Sequence, residues 1–176
     1  MPVFISGLPL HVLVVHAVVV LVPLAVVGTA TIALWPAARR RYGWLVVGVT
    51  AVATLVIPIA TSSGDDLRDR LPRTDLIQQH ASLADGLLPF VAALLVVVAA
   101  LVWFDQRQRR EGPGAATTQA KVAGVPRKAV SVVLTVLTVA LAVVSAVQVV
   151  RIGDSGAHAA WAGKQYIAPQ PKHHNG

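Results

Sequence analysis

The sequence predicts an all-α integral membrane protein, a four-helix bundle with both termini extracytoplasmic, and three observations carry that prediction. The 176-residue chain is 55% apolar with a mean hydropathy of +0.67, well above a soluble globular average. Only 13% of it is charged, and those charges crowd into short segments between long uncharged runs. The runs reach or approach the roughly 20 residues needed to cross about 30 Å of hydrocarbon. No alternating ten-residue pattern of a membrane barrel is present, and irregular backbone in lipid would leave amides unsatisfied, so the spans are helices.

Taken in order, the spans are expected at about 10–35, 44–61, 81–104 and 129–152, within a single domain covering 1–176. Pro23, Pro58 and Pro89 fall inside the first three, where each removes one backbone hydrogen bond and is expected to bend its helix. Residues 105–128 read as a flexible basic cytoplasmic loop containing the linker-like run EGPGAATT, and 153–176 as a polar extracytoplasmic tail ending Lys172, His173, His174, Asn175, Gly176. The terminal histidine pair is read as part of a solvated tail.

Orientation follows from the loops. Arg39, Arg40 and Arg41 fill the first, and Arg107, Arg109, Arg110, Lys121, Arg127 and Lys128 the third. The middle loop instead mixes Arg68, Arg70 and Arg73 with Asp65, Asp66, Asp69 and Asp75. Short cytoplasmic loops are enriched in Lys and Arg, which places the first and third loops inside the cell. Trp35, Trp44 and Trp103 fall at the same interface, where amphipathic rings sit at headgroup level. The expected location is a bacterial plasma membrane.

Composition also narrows function. With no cysteine, disulfides, thiolate metal ligands, iron–sulfur clusters and covalent c-type haem attachment are excluded. The sequence pI of about 10.9 points to anionic lipid headgroups and not to nucleic acid, because the basic residues flank hydrophobic spans. No signal peptide is expected, since no Lys or Arg precedes the first span and the apolar run exceeds an h-region. The chain lacks a Ser-His-Asp order, a phosphate-binding glycine loop and zinc-protease spacing, so an enzyme is poorly supported.

On this topology the ionisable residues collect at the outer end. His11 and His16 start the first span, His80 and Asp85 the third, and Gln148, Arg151, Asp154 and His158 occupy or follow the end of the fourth. Ionisable groups within a span are expensive and face the bundle interior or a water-filled cavity, which makes His16 and Asp85 the sharpest positions. Five residues separate His11 from His16, and His80 from Asp85, a rise of about 7.5 Å and a turn of about 140°. His11 and His16 therefore do not share a face unless the helix begins after His11. Asp85 is a potential partner for His16, able to fix its tautomer or keep it charged. Against this stands the plain reading of His11 and His80 as interfacial residues. Ser131, Thr135, Thr138, Ala142 and Ser145 form a small-residue stripe of the kind that packs membrane helices. A faint repeat pairs His11 and His16 with His80 and Asp85, and Gly64-Asp65 with Gly153-Asp154.

The segments GLPLHVLVVHAVVVLVPL, ATSSGDDL, QQHASLADGLLP and VVRIGDSGAHAAW resemble the actinobacterial branch of the bacterial membrane family known as domain of unknown function 2231, over Gly7 to Trp161. The resemblance implies four helices and, because some relatives are joined to Rieske-type or cytochrome domains, electron-transfer company. It places the family's histidines at His11, His16 and His80. The chain departs from the family at Val12, where relatives carry Pro, and at Asp154, where Gly-His-Ser-Gly is expected; His158, one turn on, is the available substitute.

Three functions compete on these grounds. The first is a redox-associated subunit with haem b or a transition metal at the outer end. Its ligands would be His16 and His80 with His11 as alternate, Asp85 would complete a metal set, and Asp154, Gln148, Arg151 and His158 would stand behind them. The second is a cofactor-free scaffold or partner subunit, with membrane lipids, a redox or other membrane protein, or a second copy of itself as partner. The third is proton movement or pH sensing through His16 and Asp85, disfavoured because the cytoplasmic halves of the spans lack ionisable residues.

Overall fold

The computed structural model describes residues 4–5, 8–71, 74–110 and 126–161. After a two-residue antiparallel pairing of β1 (Phe4–Ile5) with β2 (Leu8–Pro9), the described chain is helical throughout: α1 (Leu10–Leu34), α2 (Pro36–Arg68), α3 (Asp75–Asp85), α4 (Leu87–Arg110) and α5 (Arg127–Trp161). With α3 and α4 taken together, four helices are long and apolar enough to cross a membrane. The expected linker at 111–125 with Lys121, the tail at 162–176, and Arg73 lie outside the described residues.

The helices run further than the apolar runs alone. α2 begins at Pro36, which suits a first helical position because its missing N–H had no partner there, and continues to Arg68. Asp65 and Arg68 are thus helical and paired at 3.1 Å. Residues 105–110 belong to α4, and residues 153–161, expected in a polar tail, belong to α5. His80 does not start its helix either. Thr74 caps α3, its Oγ1 accepting from the Ile77 N–H at 3.4 Å, so His80 sits well inside.

The prolines act unequally. α1 and α2 pass through Pro23 and Pro58 without interruption, whereas the third span breaks at Gly86. Pro89 has no N–H to offer the carbonyl of Asp85, four residues before it, and Gly86 lies within that unsupported turn.

Packing closes the helices into a ring in which α1 lies against α2, α2 against α4, α4 against α5 and α5 against α1, with α3 seated mainly on α5. α1 and α4 face each other diagonally. The two hairpins, α1–α2 and α3/α4–α5, thus repeat one pattern of helix neighbours around the bundle. Val22, Ala25, Ala53, Ile57, Leu87 and Val91 form the core toward the end bearing the N-terminus, and Ile32, Val98 and Val102 the core toward the other. Gly43 lets α2 approach α4 closely, since a Cβ there would lie 2.9 Å from Val102 Cγ1. The small-residue stripe on α5 does pack inward: Thr138, Ala142 and Ser145 are at most 2% exposed.

The outward faces are the reverse of a soluble protein's. Val20, Val27, Leu45, Leu55, Val96, Val136 and Val150 are each at least 60% exposed, an apolar outer surface suited to contact with lipid. Leu94→Ala, in the core, should therefore cost about 2–5 kcal/mol. Val96→Ala, on the lipid face, should cost far less, and unfolding in mixed micelles measures the difference.

Candidate functional site

His11 is the second residue of α1, and its ring lies on α2. A carbonyl oxygen can only accept, so the 3.1 Å contact to the Ala60 carbonyl makes Nδ1–H the donor. Ser63 donates its hydroxyl to the same carbonyl at 2.9 Å, and its Oγ lies 3.4 Å from His11 Nδ1. Gly64 lies flat beneath the ring: a Cβ there would stand 3.0 Å from Cε1 and 3.1 Å from Nδ1.

His80 repeats this arrangement on the other hairpin. Its Nδ1–H lies 3.2 Å from the Ile152 carbonyl and 3.1 Å from Ser155 Oγ, while Ser155 donates to that carbonyl at 2.9 Å. Gly156 forms the floor, with a Cβ position 3.0 Å from His80 Cε1 and 3.2 Å from Nδ1. In both hairpins a histidine meets a carbonyl, a Ser three residues later and a Gly one further on. The expected echo between Gly64-Asp65 and Gly153-Asp154 is thus out of register, since the structure matches Ser63-Gly64 with Ser155-Gly156. Serine and glycine are needed there for different reasons. The hydroxyl supports a crowded carbonyl, and the bare Cα makes room for a ring on the helix backbone.

With Nδ1 carrying the proton, the neutral imidazole keeps its lone pair on Nε2. Neither Nε2 has a hydrogen-bond partner among the described residues. Both rings line a cavity of about 580 Å³ at this end of the bundle, walled by Val15, Ile57, Leu87 and Ile152. Its volume is within the about 300–1,000 Å³ common for small-molecule and cofactor sites. Asp65 and Arg68 add charge to the lining.

The other expected site residues are placed differently. His16 and Asp85 line the cavity but are exposed on α1 and α3. No hydrogen bond or ion pair joins them among the described residues, and His16 Nδ1–H instead donates to the Val12 carbonyl of its own helix. Because α1 begins at Leu10, both of its histidines are helical and point apart, as five-residue spacing requires. The set His11, His16, His80 and Asp85 does not gather: among the described residues no three His, Cys, Asp or Glu side chains could hold a metal ion together. Arg151, Asp154 and His158 are exposed on α5, with His158 donating to the Asp154 carbonyl at 3.0 Å. Gln148 instead reaches the break between α3 and α4, its Nε2 3.5 Å from where a Gly86 Cβ would stand.

The model of the DUF2231 family, described as a predicted membrane protein, matches residues 7–169. The chain belongs to this family. Comparison with the curated proteins and with the solved structures gives no match. The match takes in both His–carbonyl–Ser–Gly units of this DUF2231 protein. Sequence reading missed Ser155 and Gly156 as parts of the site, although the repeated Ser-Gly pair at 63–64 and 155–156 was the available signal.

Imidazole ¹⁵N spectra of the protein at neutral pH should show the Nδ1-protonated tautomer for His11 and His80. Gly156→Val should alter the His80 signals and leave those of His11 in place, because the added side chain would occupy the ring's own position.

Proposed function

We propose that this four-span membrane protein is a redox-associated subunit that holds a b-type haem through His11 and His80. The observation that carries the reading is the matched imidazole pair. The two rings sit on diagonally opposed arms of the bundle, each with Nδ1 engaged by a carbonyl and Nε2 without a partner among the described residues, beside a cavity with mainly apolar walls. A histidine that ligates a metal characteristically donates its other ring N–H to a carbonyl or carboxylate, which fixes the tautomer and raises ligand basicity. Ala60 and Ile152 supply that carbonyl, and Gly64 and Gly156 set the height of each ring above its helix.

The ligand count separates haem from a bare ion. A transition metal held by protein alone asks for three or four side chains, which the described residues do not assemble. A porphyrin brings its own equatorial nitrogens and leaves only axial positions for imidazole. When bound, haem would supply a one-electron carrier. Of the chain's own groups, His11 and His80 would hold the iron through imidazole nitrogen and Arg68, on the cavity lining, would offer a cation to the macrocycle's carboxylates. His16, exposed and bonded to its own helix, is the weaker ligand.

Orientation belongs to the same reading. The basic residues Arg39–Arg41, Arg107, Arg109, Arg110, Arg127 and Lys128 flank the end opposite the histidines, so we place that end in the cytoplasm and the imidazole pair toward the outer face of a bacterial plasma membrane.

Titration of the detergent-purified protein with haem should give a Soret band of a bis-imidazole complex at one haem per chain. His11→Ala and His80→Ala should each abolish that spectrum, and His16→Ala should preserve it. Absence of stoichiometric haem binding by the folded wild type would refute the reading and leave a cofactor-free partner subunit in its place.

A further inference from the structure

The arginine-rich end carries a second polar feature that the imidazole pair does not use. Arg39, in the first turn of α2, is only 7% exposed and reaches toward α4, where its Nε lies 3.5 Å from Asp105 Oδ1. That is too long for a strong hydrogen bond, and Arg39 Nε and Nη1 are both buried without an acceptor among the described residues. Asp105 is committed elsewhere: Arg109 donates to it from Nε at 2.8 Å and from Nη2 at 3.0 Å, a two-point contact. Two guanidinium groups thus share one carboxylate, leaving an excess positive charge on the group that is nearly removed from water.

The surroundings add to that charge. α2 has no side-chain cap at its N-terminus and no acidic residue in its first turn, so its leading amides contribute further positive potential. Trp35, Trp44 and Trp103 stand exposed near the same end, and such rings settle at headgroup depth. A buried cation whose donors lack acceptors is costly, and an oxyanion is the kind of group that supplies them.

We propose that Arg39, at the junction of α2 and α4, binds the phosphate of an anionic phospholipid. A planar guanidinium with unused N–H groups suits a phosphate's paired oxygens, and Arg109 keeps Asp105 from neutralising it. The site is independent of the imidazole pair, so haem binding and lipid binding can fail separately.

The test uses the full chain in nanodiscs of phosphatidylcholine, with or without phosphatidylglycerol, read by native mass spectrometry of retained lipid and by thermal unfolding. Wild type should retain phosphatidylglycerol and unfold at a higher temperature when it is present. Arg39→Met should reduce retention by about tenfold, the loss expected for a charge-assisted contact. Arg40→Gln should leave retention unchanged, because Arg40 is exposed and donates to the Pro36 carbonyl of its own helix. Arg39→Lys, which keeps the charge but loses the planar donors, should also retain less lipid, and it serves if the Met variant does not fold. Inorganic phosphate added to phosphatidylcholine discs forms the second arm. If it stabilises wild type as much as phosphatidylglycerol does, and only when Arg39 is intact, the oxyanion is free phosphate and the lipid assignment fails. Equal phosphatidylglycerol retention by wild type and both Arg39 variants, or a wild type indifferent to phosphatidylglycerol, would overturn the proposal.

Discussion

Hydrocarbon offers no hydrogen bonds, so each backbone carbonyl within a span must find its partner inside the protein. That constraint makes every span a helix, and it also gives the imidazole contacts their character. The carbonyls of Ala60 and Ile152 lie within helices, where the amide four residues on is already a donor, yet each receives a serine hydroxyl and an imidazole N–H as well. A carbonyl has two lone pairs, and sharing them among donors is affordable only where the donors have no competing water. Near the membrane surface the same helices carry Asp65, Arg68, Asp154 and His158, which pair along their own helices and leave the deeper carbonyls to the histidines.

Two hairpins of similar design meet around one axis, but they are not equal. The first runs unbroken through Pro23, whereas the second is interrupted at Gly86, three residues before Pro89. The interruption lets α3 seat on α5 apart from the direction of α4, and Gln148 reaches toward the gap so formed. The cavity at this end of the bundle carries the exposed His16 and Asp85 on its lining. The opposite end packs Val98 and Val102 with Ile32, with Gly43 close against Val102.

Much of this was legible before any coordinates, because hydropathy registers the largest energy in the system. The four helices, the inward stripe of Thr138, Ala142 and Ser145, and the gathering of His11 and His80 at one end all follow from burial and spacing. Helix ends were less legible. Beyond the apolar run, continuation to Arg68 or Trp161 depends on local pairs such as Arg68 with Asp65, which hydropathy does not weigh. Depth alone also favoured His16 over His11, since it ranks residues along the axis and carries no information about which way a ring turns. Rotation decided the matter: at five-residue spacing only one of the two can face α2, and Gly64 determines that it is His11. Arg39 was visible only as part of a basic loop, because its burial against α4 depends on the tertiary placement of Asp105.

The seat of His80 has a bearing on how the protein is made. That ring rests on Ile152, Ser155 and Gly156 of α5, which leaves the ribosome after α1 to α4. The first hairpin can complete its own half, His11 on α2, while the rest of the chain is still being synthesised. The second half has no floor until the final turns of α5 enter the membrane. The imidazole pair therefore exists only once α5 has been made, and a translation product interrupted before it, however well its first three spans insert, carries one seated imidazole and not two.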